Sequence, residues 1–172
     1  MSQKKYQFAI LLIGLDGSGK TTIVKSYQKP TKAVHIQPTV GFQVELVQIP
    51  ACSRPVAVFD CSGNGRHRPQ WEMFLGDSDA IAFVIDSSDK GRLHIVREYL
   101  KMLFLHPQVV QKMMPIGLLC SKSDHSEAIE KEEIKELLQL TSIPKGPDIN
   151  YFLNKVSAYE GTGVSASFEL LA

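Results

Sequence analysis

Residues 14 to 21 read Gly-Leu-Asp-Gly-Ser-Gly-Lys-Thr, which fills the spacing G-x-x-x-x-G-K-[ST]. Gly17 and Gly19 let a backbone fold so that successive N–H groups point inward, and such a nest of donors takes phosphate oxygens. A helix opening at Gly19 adds its unpaired N–H groups and positive partial charge. Lys20 supplies a point charge to β- and γ-phosphates, and the Thr21 hydroxyl can ligate Mg²⁺. A strand-like run, Tyr6–Ile13, precedes the loop, which is the context the motif requires. Gly14, Leu15, Asp16, Gly17, Ser18, Gly19, Lys20, Thr21 and Thr22 are therefore candidate nucleotide contacts. The loop alone does not separate a small GTPase from an ATPase or a nucleotide kinase.

Two further segments carry oxygen ligands. Asp60 closes the short strand-like run Val56–Asp60 and is followed by Cys61-Ser62-Gly63. A carboxylate at a strand end beside a phosphate loop is placed to support Mg²⁺. Gly63 would let a backbone N–H approach the γ-phosphate. Thr39, in Pro38-Thr39-Val40-Gly41-Phe42, can reach the metal through its hydroxyl; taken alone it is an ordinary loop threonine.

The rest of the chain alternates strands and helices, which positions these loops. Gly19–Gln28 reads as a helix. Thr39–Ile49 alternates, with Val40, Phe42, Val44 and Leu46 on one side, and pairs with Val56–Asp60 around a turn at Pro50–Pro55. Ala80–Asp86 and Pro115–Cys120 are continuous apolar runs, as central parallel strands require. Arg92–Leu105 has helical spacing and ends at His106-Pro107; Glu127–Leu140 is amphipathic, with Ile134, Leu137 and Leu138 facing in. Tyr151–Val156 is a last strand and Val164–Leu171 a last helix. The alternation implies an α/β fold: a six-stranded, mostly parallel sheet with one antiparallel edge strand and helices on both faces.

Bulk properties bound the function. The 172 residues make about one domain, taken as 1–172. Lys and Arg total 19 against 18 acidic residues, so the basic excess expected of a nucleic-acid binder is missing. Cys52, Cys61 and Cys120 match neither a CxxC pair nor a zinc set and read as reduced apolar residues. No apolar run approaches the ~20 residues of a membrane span.

PTVGF (38–42), FDCSG (59–63), RPQW (68–71) and VIDSSD (84–89) together resemble the Arf and Arf-like small GTPases over nearly the whole chain. Ser62 and Gly65 depart from the commonest pattern in the manner of one branch, whose members recruit the Bardet–Biedl coat complex (the BBSome) to ciliary membranes. The resemblance implies a P-loop, small-GTPase fold binding GTP or GDP with Mg²⁺. It places Thr21 and Thr39 on the metal, Asp60 supporting it, and Gly63 on the γ-phosphate. It implies an aromatic effector surface at Phe42, Phe59, Trp71 and Phe74; read as residues alone, the three phenylalanines are equally core. An effector coat, an exchange factor and a GTPase-activating protein are the implied partners of a monomer that is cytoplasmic and recruited to membranes at the cilium.

Three departures matter. The family's base site is usually Asn-Lys-x-Asp; here it is Ser121-Lys122-Ser123-Asp124. Lys122 can still lie against the purine and Asp124 can still pair with guanine, while Ser157 and Ala158 fit the last base-contacting turn. Asn64 stands where small GTPases commonly have Gln to orient the attacking water. Its amide is one methylene shorter, so slow hydrolysis is expected, catalysis here being mostly positioning. Met1–Lys5 leads straight into the first strand, without the family's amphipathic helix or a myristoylation signal. Arg66, His67 and Arg68 read either as solvated charge or as a contact for an acidic partner. The leading reading is a guanine-nucleotide switch. The alternatives are a GTP-binding module with negligible hydrolysis and an ATP-using kinase.

Overall fold

The computed structural model describes residues 5–29 and 37–172; Met1–Lys4 and residues 30–36 lie outside them, and with them the question of an amphipathic N-terminal helix. Six strands form one sheet in the order β2-β3-β1-β4-β5-β6. They are β1 (Phe8–Gly14), β2 (Phe42–Val47), β3 (Val56–Cys61), β4 (Ala80–Asp86), β5 (Ile116–Ser121) and β6 (Tyr151–Lys155). Only the β2–β3 pairing is antiparallel, with Phe42 opposite Cys61; the other four are parallel. The expected architecture is the one observed.

Among the described residues six α-helices cover the sheet: α1 (Lys20–Gln28), α2 (Trp71–Leu75), α3 (Leu93–Phe104), α4 (Pro107–Lys112), α5 (Lys131–Leu137) and α6 (Val164–Leu171). Alternate residues of β1 serve the two faces. Leu11 and Ile13 pack with Trp71, Leu75, Leu100 and Ile134, on the side of α2, α3 and α5. Ile10 and Leu12 pack with Ile23, Val24 and Phe168, on the side of α1 and α6. Because both faces are covered, the central strands read as unbroken apolar runs rather than alternating ones.

Local differences from the sequence reading have local causes. Pro107 does not simply stop α3; it opens α4, whose Gln108 N–H is capped by His106 Nδ1 at 3.3 Å. Helix α5 begins at Lys131 rather than Glu127, because the Ile129 N–H leaves for the Ser87 carbonyl at 3.0 Å. Gln139, with φ 52°, follows its end, and Leu137 faces solvent at 41% exposure instead of packing inward. Strand β2 is shorter at both ends than the expected 39–49. The Lys112 ammonium is bonded to the Leu75, Gly76 and Ser78 carbonyls at 3.1, 2.6 and 3.2 Å, holding the C-terminal end of α2 against α4.

Candidate functional site

The candidate site lies at the C-terminal ends of β1 and β3. Parallel pairing puts Leu12 level with Asp60, so the loop leaving β1 emerges beside the Asp60 carboxylate. Within the loop, Gly17 and Gly19 have φ of 74° and 89°, and α1 starts directly after Gly19. A cavity of about 320 Å³ opens here, walled by Gly17, Lys20, Thr21 and Thr22, by Thr39, and by Ser62, Gly63, Asn64 and His67. A larger recess of about 740 Å³ lies between α2 and α3 and is lined mainly by apolar side chains such as Leu75, Met102 and Leu103. Neither Lys20 nor Asp60 reaches its walls.

Lys20 is only 6% exposed. Its ammonium is bonded to the Gly14 and Leu15 carbonyls at 3.0 and 2.8 Å. Burial pulls its pKa from 10.5 down to about 8, against the opposing pull of the Asp60 and Asp16 carboxylates. A buried cation with two carbonyl partners stands ready to take an anion in exchange.

Three oxygens converge beside it. The Thr21 hydroxyl donates to Asp60 Oδ2 at 2.5 Å, and the Thr39 hydroxyl lies 2.9 Å from that of Thr21. Asp60 Oδ1 is buried with no hydrogen-bond partner among the described residues. Burial raises the Asp60 carboxyl, with the Thr21 bond and Lys20 acting in the opposite direction. Hard oxygen donors around an orphaned carboxylate oxygen suit Mg²⁺, so Thr21, Thr39 and Asp60 could hold or support that ion.

Gly63 packs directly on the loop. A Cβ built there would stand 2.3 to 2.5 Å from Leu15 C, Asp16 N and Gly14 O, all backbone atoms. Only a residue without a side chain allows this approach. Asn64 is committed locally: its Oδ1 accepts from the Arg66 N–H at 3.0 Å, in a tight turn of its own. The Ser62 N–H donates to the Gly41 carbonyl at 2.8 Å, joining the Asp60–Arg68 segment to the one that carries Thr39.

The second loop cluster is built by β5 and β6. Ser121 keeps a hydroxyl where the family has an amide; Oγ lies 2.6 Å from the Ser18 carbonyl and 3.1 Å from that of Ile85. It thereby ties the end of β5 to the phosphate loop. Lys122, with φ 56°, is paired with Asp86 at 2.5 Å. Burial acts to raise the Asp86 carboxyl, but the Lys122 and Ser88 bonds outweigh it and hold the carboxyl low. Asp124 Oδ1 accepts from Ser157 Oγ at 2.5 Å, which fixes the carboxylate against the turn containing Ala158. The Ser157 N–H is itself used by the Thr162 carbonyl at 2.9 Å.

The aromatic residues divide by depth. Phe42 is 49% exposed and packs at a tilt against half-buried Phe74, ring centroids 4.7 Å apart, whereas Phe59 and Trp71 are each only 7% exposed. Any aromatic surface here is Phe42 with Phe74, and Phe59 and Trp71 lie beneath it. Phe42 continues along β2 into Val44 and Leu46, which are 50% and 46% exposed. Sequence reasoning left Arg68 in a surface cluster; the structure turns it inward, 5.2 Å over the Tyr99 ring and onto Asp16. No sequence signal separates it from its neighbour Arg66.

A phosphate loop, an Asp at the adjacent strand end, a Lys-x-Asp loop after β5 and an antiparallel edge strand together define a guanine-nucleotide-binding small GTPase. The chain belongs to the ADP-ribosylation factor family, whose model matches residues 1–172. It is an Arf-like GTP hydrolase. It is similar to ADP-ribosylation factor-like protein 6 of Danio rerio, 38% identical over 146 residues, or 84% of this chain and 77% of the relative. The protein of the same name from Caenorhabditis elegans is 32% identical over 95% of this chain and 84% of its own length. The solved structure of the Arl6 BBS3 small GTPase from Trypanosoma brucei, with the bound nucleotide analogue GppNp, superposes with a TM-score of 0.82. That match is at 30% identity and covers 95% of this chain and 94% of the other.

Proposed function

We propose that this chain, acting as one unit over residues 1–172, is a Mg²⁺-dependent switch whose GTP state recruits a BBSome-like coat complex to a membrane at the cilium. In this reading the 14–22 loop holds the phosphates, and the Lys20 ammonium, now donating to the Gly14 and Leu15 carbonyls, donates to β- and γ-phosphate oxygens. Thr21 and Thr39 would ligate Mg²⁺ with Asp60 supporting it, and the ion would supply positive charge to the phosphates. The Gly63 N–H donates to the γ-phosphate. Lys122 lies along the base, Asp124 accepts from guanine, and the Ala158 N–H meets its carbonyl oxygen beside Ser157. Loss of the γ-phosphate removes what Thr39 and Gly63 hold on to, and the two segments relax.

The observation that carries the output is the apolar stripe of Phe42, Val44 and Leu46 on β2. It begins three residues after Thr39 and is about half exposed along its length. The test is retention of a purified BBSome-type coat on the immobilised protein loaded with GppNHp or GDP. Retention with GppNHp alone is expected. Equal retention in both states, or none in either, overturns the reading. The position of the Asn64 amide, already accepting within its own turn, favours slow intrinsic hydrolysis. The GTP state then persists until a GTPase-activating partner acts, and an exchange factor resets it.

A further inference from the structure

We infer that Arg68 and Asp16 form a latch that makes the protein prefer the triphosphate over the diphosphate; the inference rests on Gly63 as the γ-phosphate donor. Asp16 is a puzzle in its place. It puts a carboxylate in the loop that must accept phosphate oxygens, where an unpaired negative charge opposes binding. Two guanidinium groups answer it. Arg92 NH1 lies 3.1 Å from Asp16 Oδ2, and Arg92 is also paired with Asp89, so this contact joins the loop to the start of α3. Neither of those elements belongs to the segments that sense the γ-phosphate.

Arg68 differs because it comes from the sensing segment itself. Its NH2 lies 3.1 Å from Asp16 Oδ1, while its Nε donates to the Gly63 carbonyl at 2.7 Å. One rigid fork therefore bridges the loop carboxylate and the peptide of the residue whose N–H faces the γ-phosphate. The side chain is 13% exposed and its remaining nitrogen lies 3.4 Å from the Tyr99 hydroxyl, so Tyr99 aims the fork. A Cβ at Gly63 would strike the backbone of Gly14, Leu15 and Asp16, so Gly63 sits close against the loop that carries Asp16. The latch closes only when Gly63 is docked on the loop, and docking is what the γ-phosphate rewards. By linkage, whatever favours the docked state favours GTP over GDP by up to the same factor, because only the γ-phosphate rewards docking. Asp16 acts by positioning, as does Arg68.

The experiment measures the affinities of fluorescent GppNHp and GDP for wild type, Arg68→Gln, Asp16→Asn, the double variant and Arg68→Lys. Asp16 is 56% exposed, so its substitution does not threaten folding. Arg68→Gln, which loses both contacts, is expected to lower the GppNHp-to-GDP affinity ratio about tenfold, and Asp16→Asn, which loses only the exposed pair, about threefold. The double variant should lose no more than Arg68→Gln alone, because the Asp16 contact is already gone there. Arg68→Lys keeps a charge for Asp16 but not the fork to Gly63, and should recover only part of the preference. Equal weakening for both nucleotides, no change in preference, additive losses, or full rescue by Lys would overturn the inference. Wild type that binds neither nucleotide would instead sink the underlying reading of Gly63 and the loop.

Discussion

Replacing Gly63 by Ala tests the docking of the sensing segment most directly. The added methyl would stand 2.3 Å from Leu15 C, 2.4 Å from Asp16 N and 2.5 Å from Gly14 O. Ordinary carbon contacts begin near ~3.5 Å, so the segment must withdraw by about 1 Å. The atoms it meets are backbone and cannot rotate aside. A retreat of about 1 Å stretches a hydrogen bond of about 2.9 Å past the useful range. A bond to a charged acceptor contributes about 1.5–3 kcal/mol, so GppNHp affinity should fall about 10- to 150-fold. GDP offers no γ-phosphate and should bind almost as before. Single-turnover hydrolysis should drop by about 100-fold, because the Asn64 backbone retreats with Gly63. Gly65→Ala is the control: a Cβ there meets nothing within 4 Å, and both affinities should hold. The assay is equilibrium titration with fluorescent GDP and GppNHp, followed by phosphate release after Mg²⁺ addition. Gly63→Ala binding GppNHp as tightly as wild type would refute the claim that this close approach serves the γ-phosphate.

Three further outcomes are expected. Asn64→Gln should raise the single-turnover hydrolysis rate, since the longer amide can leave the turn that now holds Asn64 Oδ1 at 3.0 Å from Arg66 N; an unchanged rate in a phosphate-release assay would count against it. Ser121→Asn should slow GDP dissociation by about tenfold, because the amide can keep the 2.6 Å tie to the Ser18 carbonyl and add a donor for the base; displacement kinetics would show it, and faster release would reject it. Lys20 sets a pH dependence of stability without nucleotide. Held at about 8 against 10.5 when unfolded, its ammonium costs the fold about 3 kcal/mol at neutral pH. At Lys20 the unfolded chain binds more protons between those values. The Lys20 contribution, read as the difference between wild type and Lys20→Met, should therefore rise from about pH 8 to 10.5. The buried Cys61 and Cys120 thiols act in the opposite direction in both proteins. Urea denaturation of the two proteins gives that difference, and a difference flat with pH would contradict the assignment.

The parts legible in the sequence were those under tight physical constraint. The phosphate loop needs fixed glycines and a lysine at fixed intervals, and the covered strands need unbroken apolar runs such as Ala80–Asp86. Helix α2 escaped because Trp71–Leu75 is too short to show a period. Helix α4 escaped because Pro107 reads equally as a stop or a first turn. The resemblance implies Phe59 and Trp71 in the effector surface although they lie beneath Phe42 and Phe74, and the residues alone leave the phenylalanines open to a core reading, since an aromatic residue carries no mark of depth. The inward turn of Arg68 depends on Tyr99 and Asp16, which are 31 and 52 residues away. Neighbours that distant leave no local pattern.

The three carbonyls gathered by Lys112 anchor only one end of α2. Any rearrangement that keeps those bonds must swing the helix like a door about that hinge. Five residues make an arm of about 7.5 Å, so a swing of about 20° carries the far end some 2.5 Å. In such a swing displacement would be greatest at the Trp71 end, whose indole N–H donates to the Ser62 carbonyl at 3.0 Å, and least at α4. On the proposed switch reading, a shift of the Ser62–Gly63 segment would reach α2 through the Trp71 indole and be felt along one edge of the molecule, while the Lys112 tie would keep the α4 edge in place.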